Sequence, residues 1–233
     1  MSITWFAPSV MTNKFYAVLF DLDGTFADTA PDLIAALNRT RAEEDLPALP
    51  AAALRPWVST GTSALVHRAF GSEVADATFL QRRERFLAHY AANLTQHTRL
   101  FPEILELLTR IEAQALAWGI VTNKRASLTD PLMAQLGYTQ RAACIISGDT
   151  TPHPKPHPAP LWYACTQIGC NPTQAVYIGD AQRDIEAGQR AGMPTVAVGF
   201  GYIEPGDDPQ AWGADFYAAT PQALRDWVLA RLG

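Results

Sequence analysis

The sequence predicts an α/β fold, in which a parallel sheet is covered by helices and carries an all-helical insert. From Phe15 onward short apolar runs alternate with amphipathic stretches, which is the pattern of parallel strands joined by helices. One interval, residues 30–98, contains helical patterns but no convincing strand. With 233 residues the chain can bury one large core or two modest ones. We therefore expect residues 14–29 and 99–233 to form the core domain and residues 30–98 to form a smaller helical cap.

Six short apolar runs are the predicted strands. They are Phe15–Phe20, Trp118–Val121, Ala143–Ile146, Val176–Ile178, Thr195–Val198 and the weaker Asp215–Ala218. The amphipathic stretches between them predict helices at Glu103–Ala117, Ser127–Leu136, Pro158–Ile168, Asp184–Ala191 and Pro221–Leu232. Gly137, Gly169 and Gly192 follow three of these helices, at the position where a residue with positive φ commonly ends a helix.

The interval between the first two predicted strands has its own helical signals. We expect helices at Asp32–Glu44, behind a Thr29 cap, at Ser63–Phe70, and from about Val74 to Asn93. The chain leaves the core domain before this interval and re-enters it afterwards. The interval is therefore a candidate lid that moves on joints near Ala27–Pro31 and Arg99–Pro102.

Charge and hydropathy exclude two classes of partner. Lys plus Arg is 18 and Asp plus Glu is 23, which gives a net charge of −5 and none of the basic excess that a nucleic-acid binder needs. No apolar run approaches the roughly 18–20 residues that span a bilayer. We therefore expect neither nucleic acid nor membrane as a partner.

The ends and the cysteines suggest a cytoplasmic protein. Residues 1–13 lack the charged and apolar regions of a signal peptide and are expected to be a disordered extension. Cys144, Cys165 and Cys170 show no metal-binding or disulfide spacing, so we expect reduced thiols that pack in the core.

A pair of acids directly follows the first predicted strand, in the run Asp21-Leu22-Asp23-Gly24-Thr25. Residues two apart on an extended chain point to the same side, so both carboxylates face one cavity. The alternative interpretation, an Asp-Gly turn with a helix cap, explains the glycine but not the paired acids.

Three further polar clusters follow predicted strands. Thr122 and Asn123 follow the second strand, Lys155 comes soon after the third, and Asp180 with Asp184 follows the fourth. Ligands of open α/β sheets bind outside the carboxyl ends of the strands, so these clusters predict one site. Asp180 and Asp184 are four residues apart and share a face if the helix begins there. With Asp21 they form an oxygen-only cluster, which suits Mg²⁺ rather than zinc.

These motifs resemble those of haloacid dehalogenase superfamily phosphatases that carry a helical cap after the first motif. The matching segments are DLDGT, VTN, the lysine of HPKPHP, and GDAQRD. The resemblance covers nearly the whole chain from Phe15 and implies a Rossmann-like core, with cap and core opening on a hinge.

The charges and the resemblance together predict a mechanism. Asp21 is the expected nucleophile, which forms an aspartyl-phosphate, and Asp23 the expected acid and base. Thr122 and the backbone after it would bind phosphate oxygens, while Lys155 screens their charge. The predicted Mg²⁺ ligands are the side chains of Asp21 and Asp180 and, as the resemblance implies, the backbone carbonyl of Asp23, while Asp184 supports the metal either directly or through water.

Only three lysines occur, Lys14, Lys124 and Lys155, and two of them compete for the catalytic role. Lys155 lies between prolines that stiffen its loop, so it is the predicted catalytic lysine. Lys124 begins a helical region and is expected to point outward.

The predicted substrate contacts lie in the cap and after the second strand. They are Arg55, Ser59, Thr60, Gly61, Thr122 and Asn123. For Arg55 the alternative is a solvated surface arginine, and neither interpretation is favoured.

The resemblance implies a hydrolase of a small phosphorylated metabolite, of the phosphoglycolate phosphatase type. The tail Gly199–Asp215 is similar to that of N-acetylmuramic acid 6-phosphate phosphatases, which keeps that sugar phosphate as an alternative substrate. A remote alternative is a non-catalytic binding module on the same fold. We expect a monomer or a homodimer.

Overall fold

Six parallel strands form the central sheet of the protein, in a computed structural model that describes residues 14–71 and 76–232. The expected extension, residues 1–13, lies outside the described residues. In chain order the strands are β1 (Ala17–Phe20), β2 (Ala27–Asp28), β3 (Arg99–Leu100), β4 (Ala117–Val121), β5 (Cys144–Ile146), β6 (Ala175–Gly179), β7 (Thr195–Val198) and β8 (Phe216–Ala218). The sheet order β5-β4-β1-β6-β7-β8, with all neighbours parallel, confirms the predicted α/β, Rossmann-like fold.

Strand β1 occupies an interior position of the sheet. It pairs with β4 on one side and β6 on the other, and all four of its residues are buried. Burial on both faces explains why this strand is a continuous apolar run rather than an alternating one. The first residue after it, Asp21, therefore lies at the carboxyl edge between two neighbouring strands.

Nine helices are described, and most lie close to their predicted positions. They are α1 (Ala30–Ala42), α2 (Ala51–Leu54), α3 (Thr62–Phe70), α4 (Ala77–Ala92), α5 (Ile104–Ala113), α6 (Ala126–Leu136), α7 (Ala159–Ile168), α8 (Gln182–Ala191) and α9 (Pro221–Leu229). Helix α5 is shorter than predicted because the chain turns at Ala115, with φ 55°, and Ala117 already belongs to β4. Gly137, Gly169 and Gly192 end α6, α7 and α8 with positive φ, as expected.

The helical insert, residues 30–98, contains α1 to α4 and a 3-10 turn at Arg55–Trp57, and no strand in its described part. Helix α4 begins at Ala77, behind a cap in which Asp76 accepts the Phe79 N–H at 2.8 Å. The predicted start near Val74 lies outside the described residues. Thr29 occupies the N-cap position of α1, as predicted, but its side chain makes no capping hydrogen bond and its hydroxyl donates to Asp23 instead.

Both connections between the insert and the sheet domain run through one short ribbon. Strands β2 and β3 pair antiparallel, with Asp28 opposite Arg99. Asp32 stabilises the same junction, because its carboxylate accepts hydrogen bonds from the backbone N–H groups of His97 at 3.0 Å and Thr98 at 2.8 Å. The two crossings are therefore tied to each other, which suits a joint between two packed units.

The described helices also bear on the predicted absence of a membrane partner. None of them is both long enough and apolar enough to cross a bilayer.

Candidate active site

The turn after β1 places Asp21 at the floor of a cavity. Asp21 is buried, and its N–H continues the sheet by donating to the Ile178 carbonyl at 2.8 Å. Gly24, at φ 87°, permits the tight turn that follows. A Cβ at this position would lie 2.0 Å from Oδ2 of Asp180, so only glycine lets the two acidic segments approach so closely.

Lys155 forms a buried ionic contact with the predicted nucleophile. Its Nζ donates to Oδ1 of Asp21 at 2.9 Å and to the hydroxyl of Tyr177 at 2.6 Å, and it lies 2.7 Å from Oδ1 of Asp184. The lysine and both carboxylates are almost fully buried, so these interactions are weakly screened. The structure thus places Lys155 where the sequence predicted a positive charge beside Asp21.

Asn123 holds the Lys155 backbone in place. Its amide donates to the Lys155 carbonyl at 2.9 Å, and its carbonyl accepts the Lys155 N–H at 2.9 Å. Both ends of the amide are therefore used within the protein. Asn123 also lines the cavity, so its predicted substrate contact stays a prediction, while the contacts seen are those of a residue that positions Lys155.

Three carboxylates meet beside Lys155. Asp21, Asp180 and Asp184 each offer an oxygen within 4.8 Å of the others, and all three are buried. Helix α8 begins at Gln182, two residues before the predicted start at Asp184, so Asp180 lies outside the helix and the two acids do not share a helical face. Asp184 still approaches the cluster because it lies in the first turn of α8, where its carboxylate accepts the Ala181 N–H at 3.1 Å.

The acidic cluster fits a divalent cation. Oδ2 of Asp180 accepts hydrogen bonds of 2.8 Å from Ser59 and from the Tyr202 N–H, whereas its Oδ1 is buried without a partner among the described residues. Burial, followed by the nearby charges of Asp21 and Asp184, raises the pKa of Asp180 to about 8. A buried, oxygen-only cluster with an unsatisfied carboxylate oxygen is the donor set that Mg²⁺ prefers.

Lys124 points into the site, and the outward orientation expected for it is wrong. Its Nζ lies 2.9 and 3.1 Å from the two carboxylate oxygens of Asp23, and 4.7 Å from the ring centre of Tyr90 in the insert. Burial by itself lowers the pKa of Lys124, but the Asp23 carboxylate, followed by the Tyr90 hydroxyl, outweighs it and holds that pKa above its ordinary value. Helix α6 begins only at Ala126, so Lys124 lies in a loop and is free to turn toward Asp23.

Thr122 lies at the cavity wall directly after β4. It is buried, and its Oγ1 accepts the Lys124 N–H at 3.1 Å. Because the oxygen accepts this bond, the hydroxyl hydrogen remains available to donate to a ligand oxygen. The position of Thr122 is compatible with the predicted phosphate contact, which stays a prediction.

A cavity of about 570 Å³ lies between the sheet domain and the insert. Asp21, Asp23 and Thr122 line its core side, and Ser59, Thr60 and Gly61 line its insert side. Three of the predicted cap residues therefore face the site.

Arg55 lies elsewhere. Its guanidinium forms an ion pair of 2.9 Å with Asp28, stacks 5.0 Å above the Tyr202 ring, and is not among the described residues that line the cavity. The predicted anion contact is therefore corrected to a structural pairing at the joint.

Two residues of the site were not predicted from the sequence. Tyr177 contacts Lys155 from within β6, and the sequence pattern indicated only that it belongs to a strand. Arg183 lines the cavity with a buried Nε that has no partner among the described residues. Burial lowers its pKa, but the surrounding acids, Asp184 first, raise it above the ordinary value. Arg183 belongs to the GDAQRD motif, but the direction of its side chain depends on where α8 begins, which the motif alone does not predict.

Comparisons with known proteins agree with this geometry. Residues 18–198 match the family described as haloacid dehalogenase-like hydrolase. The chain is similar to an N-acetylmuramic acid 6-phosphate phosphatase from Pseudomonas aeruginosa, with 42% identity over 91% of this chain and 94% of the relative. It is also similar to a phosphoglycolate phosphatase from Xanthomonas campestris, with 45% identity over 89% and 94%. A crystal structure of a predicted phosphoglycolate phosphatase from Haemophilus somnus covers 93% of this chain and 99% of its own, with a TM-score of 0.81 and 28% identity.

Proposed function

The chain belongs to the haloacid dehalogenase-like hydrolase family, and we propose that it is a Mg²⁺-dependent phosphatase of small phosphate monoesters. The observation that carries this proposal is the buried contact between Lys155 and Asp21 at the floor of a cavity, beside two further carboxylates. A carboxylate held in this way is fixed in orientation at a position that a ligand can reach.

Asp21 is the proposed nucleophile. A phosphate monoester is a dianion, so a carboxylate can attack phosphorus only where cations offset the repulsion. Lys155 and Arg183 provide positive charge on this side of the cavity. When bound by Asp21, Asp180, Asp184 and the Asp23 carbonyl, Mg²⁺ would supply further charge neutralisation of the phosphoryl group. Attack forms an aspartyl-phosphate on Asp21 and releases the alcohol.

Asp23 is the proposed acid and base. Its carboxylate lines the cavity and is oriented by Lys124 at 2.9 Å. In the first step it gives a proton to the departing alkoxide, and in the second it takes a proton from the water that hydrolyses the aspartyl-phosphate. Thr122 donates its hydroxyl hydrogen to a phosphate oxygen in both steps.

The proposed substrate is of the phosphoglycolate type, because phosphoglycolate phosphatases recur among the similar proteins. The cavity favours N-acetylmuramic acid 6-phosphate as a second candidate. Cavities of roughly 300–1,000 Å³ hold drug-sized ligands, so 570 Å³ leaves room for a sugar phosphate and exceeds the needs of a two-carbon ester. Comparing kcat/KM for the two esters decides between them.

We further propose a cytoplasmic monomer or homodimer whose partner is a small phosphorylated metabolite. The free thiols of Cys144 and Cys165, both buried, support a reducing compartment. Size-exclusion chromatography with light scattering measures the oligomeric state.

The proposed activity is tested by p-nitrophenyl phosphate hydrolysis with and without Mg²⁺. We expect turnover that disappears on chelation and returns with Mg²⁺. We expect less activity with Ca²⁺, because the larger ion prefers more ligands and tends to draw in both oxygens of Asp21. Full activity after exhaustive chelation contradicts the proposed metal dependence, and no turnover under any condition supports the non-catalytic alternative.

A further inference from the structure

Helix α4 carries arginines on two different faces. Arg82 and Arg85 ion-pair with Glu43 and Glu44 at the end of α1. Arg83, in contrast, lies on the side of the helix that lines the cavity, together with Leu87, Tyr90 and Ala91. The spacing of four, three and one residues is that of a single helical face.

Arg83 differs from its neighbours in having no partner. Its Nε is buried without a hydrogen-bond acceptor, and it forms no ion pair with any residue in the described part of the chain. Removing the Nε–H of a guanidinium from water without an acceptor is unfavourable. Since the neighbouring arginines on the same helix are paired, the unsatisfied donor is specific to the cavity face.

The cavity wall offers Arg83 no acid of its own. Among its described lining residues only Asp21 and Asp23 are acidic, and they are paired with Lys155 and Lys124. The rest of the insert's wall consists of small hydroxyl residues, of apolar side chains such as Leu65, and of Tyr90, whose hydroxyl is also buried without a partner among the described residues. No acid of the described wall is left to accept from Arg83, so its unsatisfied Nε–H is available to a ligand.

We propose that Arg83 binds a carboxylate on the alcohol portion of the substrate. The phosphoryl group occupies the core side of the cavity, whereas Arg83 is the one cation among the described lining residues of the insert. A single planar guanidinium matches a monoanionic carboxylate through two parallel hydrogen bonds, while a second phosphoryl dianion calls for more positive charge. This inference rests on the proposed function and narrows the substrate class to phosphate monoesters that also carry a carboxylate.

Two pairs of substrates isolate the carboxylate. N-acetylmuramic acid 6-phosphate is compared with N-acetylglucosamine 6-phosphate, which lacks the lactyl carboxylate, and 2-phosphoglycolate with 2-hydroxyethyl phosphate. For Arg83→Gln we expect kcat/KM to fall roughly 30- to 100-fold for the preferred carboxylate-bearing ester and less than about 3-fold for its partner. Arg85→Gln, on the outer face of the same helix, is the matched control and should leave both values unchanged within about 2-fold.

Each other outcome has a distinct meaning. An equal loss for both members of a pair, or no loss for either, overturns the carboxylate contact while leaving the phosphatase intact. No turnover of any ester or of p-nitrophenyl phosphate by the wild-type protein overturns the proposed function and this inference with it. If Arg83→Gln fails to fold, Arg83→Lys serves instead. That variant keeps the charge but loses the paired hydrogen bonds, so the carboxylate-specific loss should be roughly 10-fold, and its absence overturns the proposal.

Discussion

The hydroxyl of Ser59, in the helical insert, donates a hydrogen bond of 2.8 Å to the carboxylate of Asp180 in the sheet domain. Ser59 lies in the Gly-containing turn that precedes α3, and Asp180 directly follows β6. The bond therefore joins the insert's side of the cavity to the acidic cluster. This contact connects the insert directly to the proposed metal site.

The first prediction concerns this contact. Ser59→Ala removes one hydrogen bond between the two units, so we expect kcat/KM for the natural ester to fall roughly 3- to 10-fold. The loss for p-nitrophenyl phosphate should be smaller, because that ester draws little binding energy from the insert. Ser63→Ala, another hydroxyl residue of the cavity wall, is the control. Equal losses for both esters would show that Ser59 acts only through Asp180 and does not select the substrate.

A second prediction concerns stability and pH. Asp180 has an ordinary pKa of 3.8 in the unfolded chain and a pKa of about 8 in the metal-free fold, where burial dominates. Between these values the folded state binds more protons, so the stability contributed by Asp180 falls as pH rises from about 4 to 8. Mg²⁺ binds the ionised carboxylate, so its stabilising effect should grow over the same range.

Thermal unfolding of wild type and Asp180→Asn tests this directly. The difference in Tm between them, measured without metal, should shift in favour of the variant as pH rises. The gain in Tm on adding Mg²⁺ should be larger at pH 8 than at pH 6 for wild type and small for the variant. If the difference in Tm between wild type and Asp180→Asn stays constant with pH, the raised pKa assigned to Asp180 is wrong.

The third prediction concerns Lys124. Lys124→Met leaves the Asp23 carboxylate without its cation, and we expect kcat/KM to fall roughly 10- to 100-fold for any ester. We also expect a loss of about 1–3 kcal/mol in the free energy of unfolding, because the side chain is largely buried. Steady-state kinetics and urea unfolding measure the two effects. Arg125→Met, the next cation along the same loop, is the control, and similar losses in that variant would mean that general charge matters rather than the Asp23 contact.

The sheet and the acidic residues of the site were predictable because both depend on local sequence. Short apolar runs mark strands that are buried on both faces, and residues at their carboxyl ends meet wherever a parallel sheet forms. Thus Asp21, Thr122, Lys155 and Asp180 could be grouped before their distances were known.

The errors share a different physical cause. Whether Lys124 points inward depends on where α6 begins, a boundary that shifts with one or two residues of capping geometry. Arg55 and Thr29 found partners, Asp28 and Asp23, that only the tertiary structure brings near. Sequence patterns predict least well the residues whose contacts depend on the exact end of a helix or on a partner distant in the sequence.

The central claim is that Asp21 becomes phosphorylated during turnover. The protein is mixed with p-nitrophenyl phosphate and Mg²⁺, quenched in acid, digested, and its peptides are examined by mass spectrometry. We predict a single acid-stable, base-labile phosphoryl group on the peptide that contains Asp21, and none in a folded Asp21→Asn variant, which should also lose turnover. A phosphoryl group on another residue, or an Asp21→Asn variant with most of the wild-type rate, would contradict the account.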